Sequence, residues 1–295
     1  MRVTAAQVYR SQLLRLRKRS SESARAQEVA TSGRRLVRPS DDPVGAARSL
    51  RVRDMLGDVE TARGKIASVH RELTHEETAI AGMTDVLSRV KELAVQMASP
   101  VADAGSRAAA ASEVDGLRSQ LIALANTDVA GRRLFGGSQI GADPFDAAGN
   151  YLGDTAPVSV EIYNTSTVQV TMDGSQLLGG TGGGPDILQV LDDFSTALTT
   201  NDITGVQNTL DPLTDSIDWV VQQRSLIGAR MDLVERLDDH LQDVESSLVD
   251  ERSVIEEADV VEAYSEVVRT KTAFESALQV TSAARTTDLF QLLGL

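Results

Sequence analysis

The 295-residue chain has no cysteine, three histidines and ten aromatic residues. Without thiols it has no disulfide framework, no thiolate metal site and no cysteine nucleophile, and three histidines leave little imidazole for metal or proton chemistry. It also lacks any run of about 18 uninterrupted apolar residues, so no segment reads as a membrane span. The start, MRVTAAQVYRSQLLRLRKR, has no apolar stretch of the kind that marks a cleaved signal peptide. If the chain leaves the cytoplasm, another export route is expected. Hydrophobic residues make up 41% of the sequence but aromatics only 3%. Aliphatic side chains and alanine must therefore fill the core, as they do in helix seams.

Charge is present in excess of one sign and unevenly placed. The net charge is −14, yet residues 1–70 carry 15 basic against 7 acidic side chains, while residues 216–295 carry 7 against 16. Residues 141–215 have 11 acidic side chains and no basic one. The densest basic cluster is Arg15, Arg17, Lys18 and Arg19. No aromatic residue interleaves it to stack on bases, and the acidic remainder would repel phosphate. A helix face complementary to the acidic C-terminal arm is the favoured reading, and a nucleic-acid footprint the remote alternative.

Apolar residues recur alternately three and four apart at Val52, Met55, Val59, Ala62, Ile66, Val69, Leu73, Ile80, Met83, Leu87, Val90, Ala94 and Met97, with only Glu76 breaking the series. A 3.5-residue repeat held over six heptads is a coiled-coil seam. Asp42 as N-cap and Pro43 at the first helical position mark the start of that helix. Running to about Pro100, it would be roughly 85 Å long and needs partners along its length. Residues 106–129, with Val114, Leu117, Leu121 and Leu124 on one face, form an antiparallel return. Val234, Leu237, Leu241, Val244, Leu248 and Ile255 keep the same spacing. Beyond Glu256 the phase shifts to a stripe of Val260, Tyr264, Val267, Phe274 and Leu278, which places a joint near 255. A matching joint lies at Ser32–Pro39, after a helix over residues 4–31.

Twelve of the 22 glycines fall between Gly131 and Gly184. Within that centre Val158, Val160 and Ile162 alternate with polar residues, as do Val168, Val170 and Met172, with Asn164-Thr165-Ser166 between them. This period of two predicts a small antiparallel sheet with one wet face. The run from Gly179 to Gly184 lacks a following Gly-Lys-Ser/Thr, so it reads as a flexible connector. His70 and His75 have the wrong spacing for a zinc helix, and Asp192-Asp193 and Glu256-Glu257 lack surroundings that would split their proton affinities. No catalytic, cofactor or metal site is expected, and the chain is not read as an enzyme.

The sequence Thr31-Ser32-Gly33-Arg34-Arg35-Leu36, followed by Pro39-Ser40-Asp41-Asp42-Pro43-Val44-Gly45-Ala46-Ala47, resembles the "SGKRI…SPSDDPAGAA" signature of the flagellin family. At the other end, Ile255-Glu256-Glu257-Ala258-Asp259, Tyr264, Phe274 to Val280 and the closing Leu289-Phe290-Gln291-Leu292-Leu293 are similar to that family's C-terminal pattern, with Gln291-Leu292 where an acidic and an aromatic residue are usual. Ala125-Asn126-Thr127, Leu134-Phe135-Gly136-Gly137 and Pro144-Phe145, together with the short centre, resemble the members that sit at the hook-filament junction rather than those that build the filament.

The resemblance implies a mainly α fold with a small β insertion, in which N- and C-terminal arms form long antiparallel coiled-coil helices. Residues 1–42 and 256–295 would form a terminal helix pair that orders on assembly, 43–135 and 186–255 a coiled-coil core, and 136–185 a small outer β domain. It further implies a structural adaptor in the bacterial flagellum, outside the cell, exported unfolded through the flagellar channel. Expected partners are further copies of the chain, hook-associated protein 1, flagellin, an export chaperone and the type III export apparatus, with no nucleic acid and no membrane insertion. A filament-forming flagellin is the alternative. Assembly contacts are expected at Arg15, Arg17, Arg19, Arg34, Arg35, Asp41, Asp42, Pro43, Tyr264, Phe274, Leu278, Leu289, Phe290, Leu292 and Leu293.

Overall fold

In chain order, the computed structural model has helices α1 (Ala5–Ser32), α2 (Pro43–Met97) and α3 (Ala104–Ala125), then strands β1 (Asp128–Val129), β2 (Arg132–Arg133), β3 (Ser159–Tyr163) and β4 (Ser166–Gln169). Helices α4 (Gly174–Leu178), α5 (Ile187–Thr199), α6 (Ile203–Asn208), α7 (Leu210–Glu256) and α8 (Val260–Leu292) complete it. The structure describes residues 5–129, 131–139, 141–164 and 166–292, with side chains 5, 6, 8, 9 and 284–292 outside that description. The chain forms two compact units: unit 1 is Met1–Asp58 with Asp243–Leu295, and unit 2 is Val59–Gln242. The division falls within α2 and α7, so each of these helices contributes to both units.

In unit 2 the predicted seam of α2 is fully realised. Every seam position from Val59 to Met97 is 8% exposed or less, including Glu76 at 0%. Facing it, α7 buries Leu213, Val220, Ile227, Val234 and Leu241 at strict seven-residue intervals. Arg63 reaches Asp238 at 3.0 Å, and Arg224 clamps the Glu77 carboxylate with two nitrogens. These pairs progress in opposite directions along the two helices, so α2 and α7 run antiparallel.

Helix α3 is capped by Asp103, whose Oδ1 accepts the Ser106 amide at 2.7 Å. Its buried face differs from the predicted stripe. Arg107, Ala110, Ala111, Val114, Leu121, Ile122 and Ala125 are buried, while Leu117 and Leu124 are half-buried. The face is wider because α3 is covered twice, by α5 and by α2, where Arg89 pairs with Glu113 at 2.8 Å.

The β insertion is rooted by Asn126, whose side chain accepts the Phe145 amide at 2.9 Å and donates to its carbonyl at 2.8 Å. Phe135 and Phe145 are buried beneath it, and Tyr151 packs on Phe145 with ring centroids 5.2 Å apart. Strands β3 and β4 pair antiparallel, Val160 opposite Val168, after a turn in which Asn164 has φ +43°. Past β4 the wet face is lost: Val170, Thr171 and Met172 are all buried, because the Thr171 hydroxyl satisfies the Val158 amide at 2.8 Å.

The glycine run is an ordered turn rather than a flexible connector. Gly180, Gly182 and Gly183 take left-handed φ values, Gly179 and Asp186 form an isolated β-bridge, and the chain's single tryptophan, Trp219, donates to the Gln176 carbonyl at 3.0 Å. A Cβ on Gly184 would strike the Trp219 indole. Gly184→Val is expected to displace that ring and lower the stability of unit 2 by about 1–3 kcal/mol. The lone tryptophan makes fluorescence a direct reporter, and an unchanged spectrum with an unchanged melting point would refute the packing.

Candidate assembly interface

Unit 1 brings the two ends of the sequence together at a joint. Gly33, with φ +66°, ends α1. The Arg35 amide donates to the Glu256 carbonyl at 2.8 Å, and the Ala258 amide to the Gly33 carbonyl at 2.9 Å, so the two interhelical breaks pair like short antiparallel strands. Arg35 also donates through its guanidinium to the Ile255 carbonyl at 2.8 Å.

The hub of the joint is Glu256, 7% exposed. Its Oε1 accepts the Ser49 hydroxyl at 2.5 Å and Arg53 through two nitrogens at 3.0 and 2.7 Å. Arg34 lies 4.0 Å from the other oxygen. Burial opposes the charge, but the Ser49 and Arg53 hydrogen bonds outweigh it and hold the carboxyl below the usual glutamate range. Asp42 acts as expected: its Oδ1 accepts the Gly45 amide at 2.8 Å, and Pro43 follows as the first helical residue. Asp41 accepts the Arg38 amide at 3.3 Å and pairs with Arg25. Glu256, Ser49 and Arg53 as a unit were not foreseen, since a glutamate at a helix end carries no signal of where its partners fold.

Beyond the joint, α1 and α8 pack along each other. Their seam is made of small residues, with Ser23, Ala26 and Ala263 the side chains it buries among the described residues. The predicted α8 stripe is split by this arrangement. Val267 and Phe274 are half-buried, whereas Tyr264 is 60% and Leu278 42% exposed. The inner face runs instead through Ala263, Val267, Thr270, Ala273 and Ala277, because small side chains let the backbones approach. Val261, Tyr264 and Val268 are left as an apolar ridge facing outward. Leu289, Phe290 and Leu292 have side chains outside the described residues, as Leu293 is altogether.

The charge match expected between the two ends is made elsewhere. Helix α1 carries six basic and two acidic residues but α8 three and four. Among the described residues no ion pair joins these two helices; Arg19 turns to Glu22 within α1 at 3.0 Å, and Arg15 and Arg17 stand exposed. The acid of the C-terminal arm lies in α7, with twelve acidic against four basic residues. There it meets α2, through Arg48–Glu251 and Arg53–Glu256 in unit 1 and Arg63–Asp238 in unit 2.

Two family models cover these segments. Residues 4–140 match the bacterial flagellin N-terminal helical region and residues 210–293 the bacterial flagellin C-terminal helical region, together about three-quarters of the sequence. The chain belongs to the flagellin family. Within the family, flagellar hook-associated protein 3 of Salmonella typhimurium is 24% identical over 265 residues, covering 81% of this chain and 82% of the relative. The solved structure of Bacillus cereus FlgL, 24% identical, matches with a TM-score of 0.62 over 69% of this chain and 99% of its own. That of the flagellar junction protein FlgL from Legionella pneumophila, 15% identical, matches with 0.57 over 70% and 100%. The long helices and small sheet insertion are the shared fold.

Proposed function

We propose that this flagellin-family chain is the structural adaptor that joins the flagellar hook to the filament. The observation that carries the reading is the distribution of uncovered apolar surface. Among the described residues, eighteen large hydrophobic side chains stand exposed and twelve of them lie in unit 1, including Leu14, Leu50, Val254, Val261, Tyr264 and Val268. Apolar surface on that scale, around a helix pair that buries little of its own, calls for neighbouring subunits. The relatives named hook-associated protein 3 and junction protein support placing that surface at the hook-filament boundary.

On this reading further copies of the chain complete the α1–α8 seam in a tube layer, with hook-associated protein 1 on one side and flagellin on the other. Arg34, Arg35, Asp41, Asp42 and Pro43 shape the joint, and Tyr264 and Leu278 present the contact face. The chain travels unfolded through the channel with the help of an export chaperone, and its last step of folding is coupled to assembly. A chain with no cysteine suits that route. A strain lacking the protein is expected to make hooks without attached filaments and to release flagellin into the medium. Complementation with Tyr264→Asp/Val268→Asp is expected to leave that phenotype in place. Stable filaments on the hooks of the null strain would sink the assignment.

A further inference from the structure

Three glutamates sit on one stretch of α2, and their surroundings differ. Glu77 is clamped by Arg224 of α7, and Glu72 is met by Arg132 of β2 at 3.3 Å. Glu76, between them, occupies a seam position at 0% exposure, with Leu73 and Ile80 buried above and below it. Neither of its carboxyl oxygens has a hydrogen-bond partner, and close by Arg230 of α7 keeps a buried Nη1 in the same condition, as does Arg132 at Nη2. A charged carboxylate in such a place is costly, since burial penalises charge unless geometry returns the energy through closed hydrogen bonds.

We propose that Glu76 is a proton-gated weak point of unit 2: it closes the α2–α7 seam in its neutral form, and loss of the proton admits water at the middle of the seam. Charged groups approach it from three elements. On its own helix Glu72 adds a like charge; Arg230 of α7 and Arg132 of β2 add opposite charges; the Met172 amide after β4 approaches from the insertion. Burial, with the Glu72 charge on the same side, outweighs the groups that favour the anion and pushes the carboxyl up from 4.5 to about 8. Arg230 and the Met172 amide pull it back without either closing a hydrogen bond of normal geometry. His75 is exposed and stands on the outer face of the helix.

A carboxyl whose folded value lies above its unfolded one stabilises the closed form fully below the unfolded value, and that support is lost as pH rises through the folded value. The opening constant of the surrounding turns should therefore climb about tenfold per pH unit between roughly 5 and 8. Amide hydrogen exchange on the full chain, corrected for the intrinsic pH dependence of exchange, reads this at Leu73, Ile80 and Ile227. In Glu76→Gln the corrected profile is expected to be flat, with protection at pH 8 at least about a hundredfold above the parent chain. Equal profiles in the two proteins would overturn the proposal. Glu76→Met, close in volume, serves if the amide variant does not fold. Carboxyl-carbon NMR of the unmodified chain gives a second readout: a Glu76 signal that titrates in the ordinary glutamate range overturns the proposal by itself.

Discussion

Replacing Glu256 with alanine is expected to unlock the joint of unit 1. The carboxylate receives Ser49 and two nitrogens of Arg53 on one oxygen, and removal leaves the Ser49 hydroxyl buried with its partner gone. Arg53 is about half exposed and can turn to water, so its share of the loss is modest. Hydrogen bonds to a charged group contribute about 1.5–3 kcal/mol each before that discount. A net cost of roughly 2–4 kcal/mol follows, which corresponds to a fall in protection of about thirtyfold to several hundredfold. The Arg35 and Ala258 amides report it, because their acceptors are the Glu256 and Gly33 carbonyls across the joint.

The same carboxyl sets a pH dependence opposite to that of Glu76. Its folded value lies below the ordinary 4.5, so its contribution is complete above that pH and disappears as pH falls through the lower folded value. Acid should thus loosen the joint of unit 1 while base loosens the middle of unit 2. Protection at Arg35 that is unchanged in the alanine variant, or that rises on acidification, would show that Glu256 is not the hub.

How much of this was legible beforehand depended on whether the signal was local. The bounds of α2 were readable because Asp42, Pro43 and a long 3.5-residue period all lie in one stretch of sequence. So was the break in that period at Glu76, although periodicity alone could not say that the glutamate is buried rather than turned outward. Periodicity does not place the α8 stripe, because Tyr264 and Leu278 share a helix with Val267 and Phe274 and only the identity of the facing helix decides which ridge goes inside. Small residues on both helices made that decision, and small residues carry almost no hydropathy signal. Charge counted over residues 1–70 and 216–295 merges α1 with the start of α2 and α7 with α8, so it cannot say which helices make the match. Assembly residues at the far C-terminus, from Leu289 to Leu293, rest on family resemblance alone.

Arg107→Ala is expected to produce the largest loss of stability in unit 2. Arg107 is 2% exposed, one turn into α3. Its Nε donates to the Met97 carbonyl at 3.1 Å, Nη2 to the Ser99 carbonyl at 2.9 Å and Nη1 to the Asn201 side chain at 2.6 Å. The first two acceptors are at the C-terminal end of α2, where carbonyls lack helical partners and the helix dipole favours a cation. Nothing in the sequence marked this residue, because its acceptors are two backbone carbonyls and an asparagine 94 positions away. A buried arginine that hydrogen-bonds no carboxylate is tolerated here because several of its donors are used, the helix end supplies the field and the nearby Asp103 charge adds to it. An apolar substitute cannot stand in for it, since the carbonyls remain whatever side chain faces them. Arg107→Met restores most of the volume and none of the donors, so it should fall close to alanine. Losing the partner of several buried polar groups costs about 3–5 kcal/mol, or on the order of 10 °C in melting temperature for a unit of this size. Arg107→Lys keeps the charge but cannot span three acceptors, and should recover about half of the loss. A methionine variant that melts with the parent chain would mean that the three hydrogen bonds do not hold the α2–α3 turn.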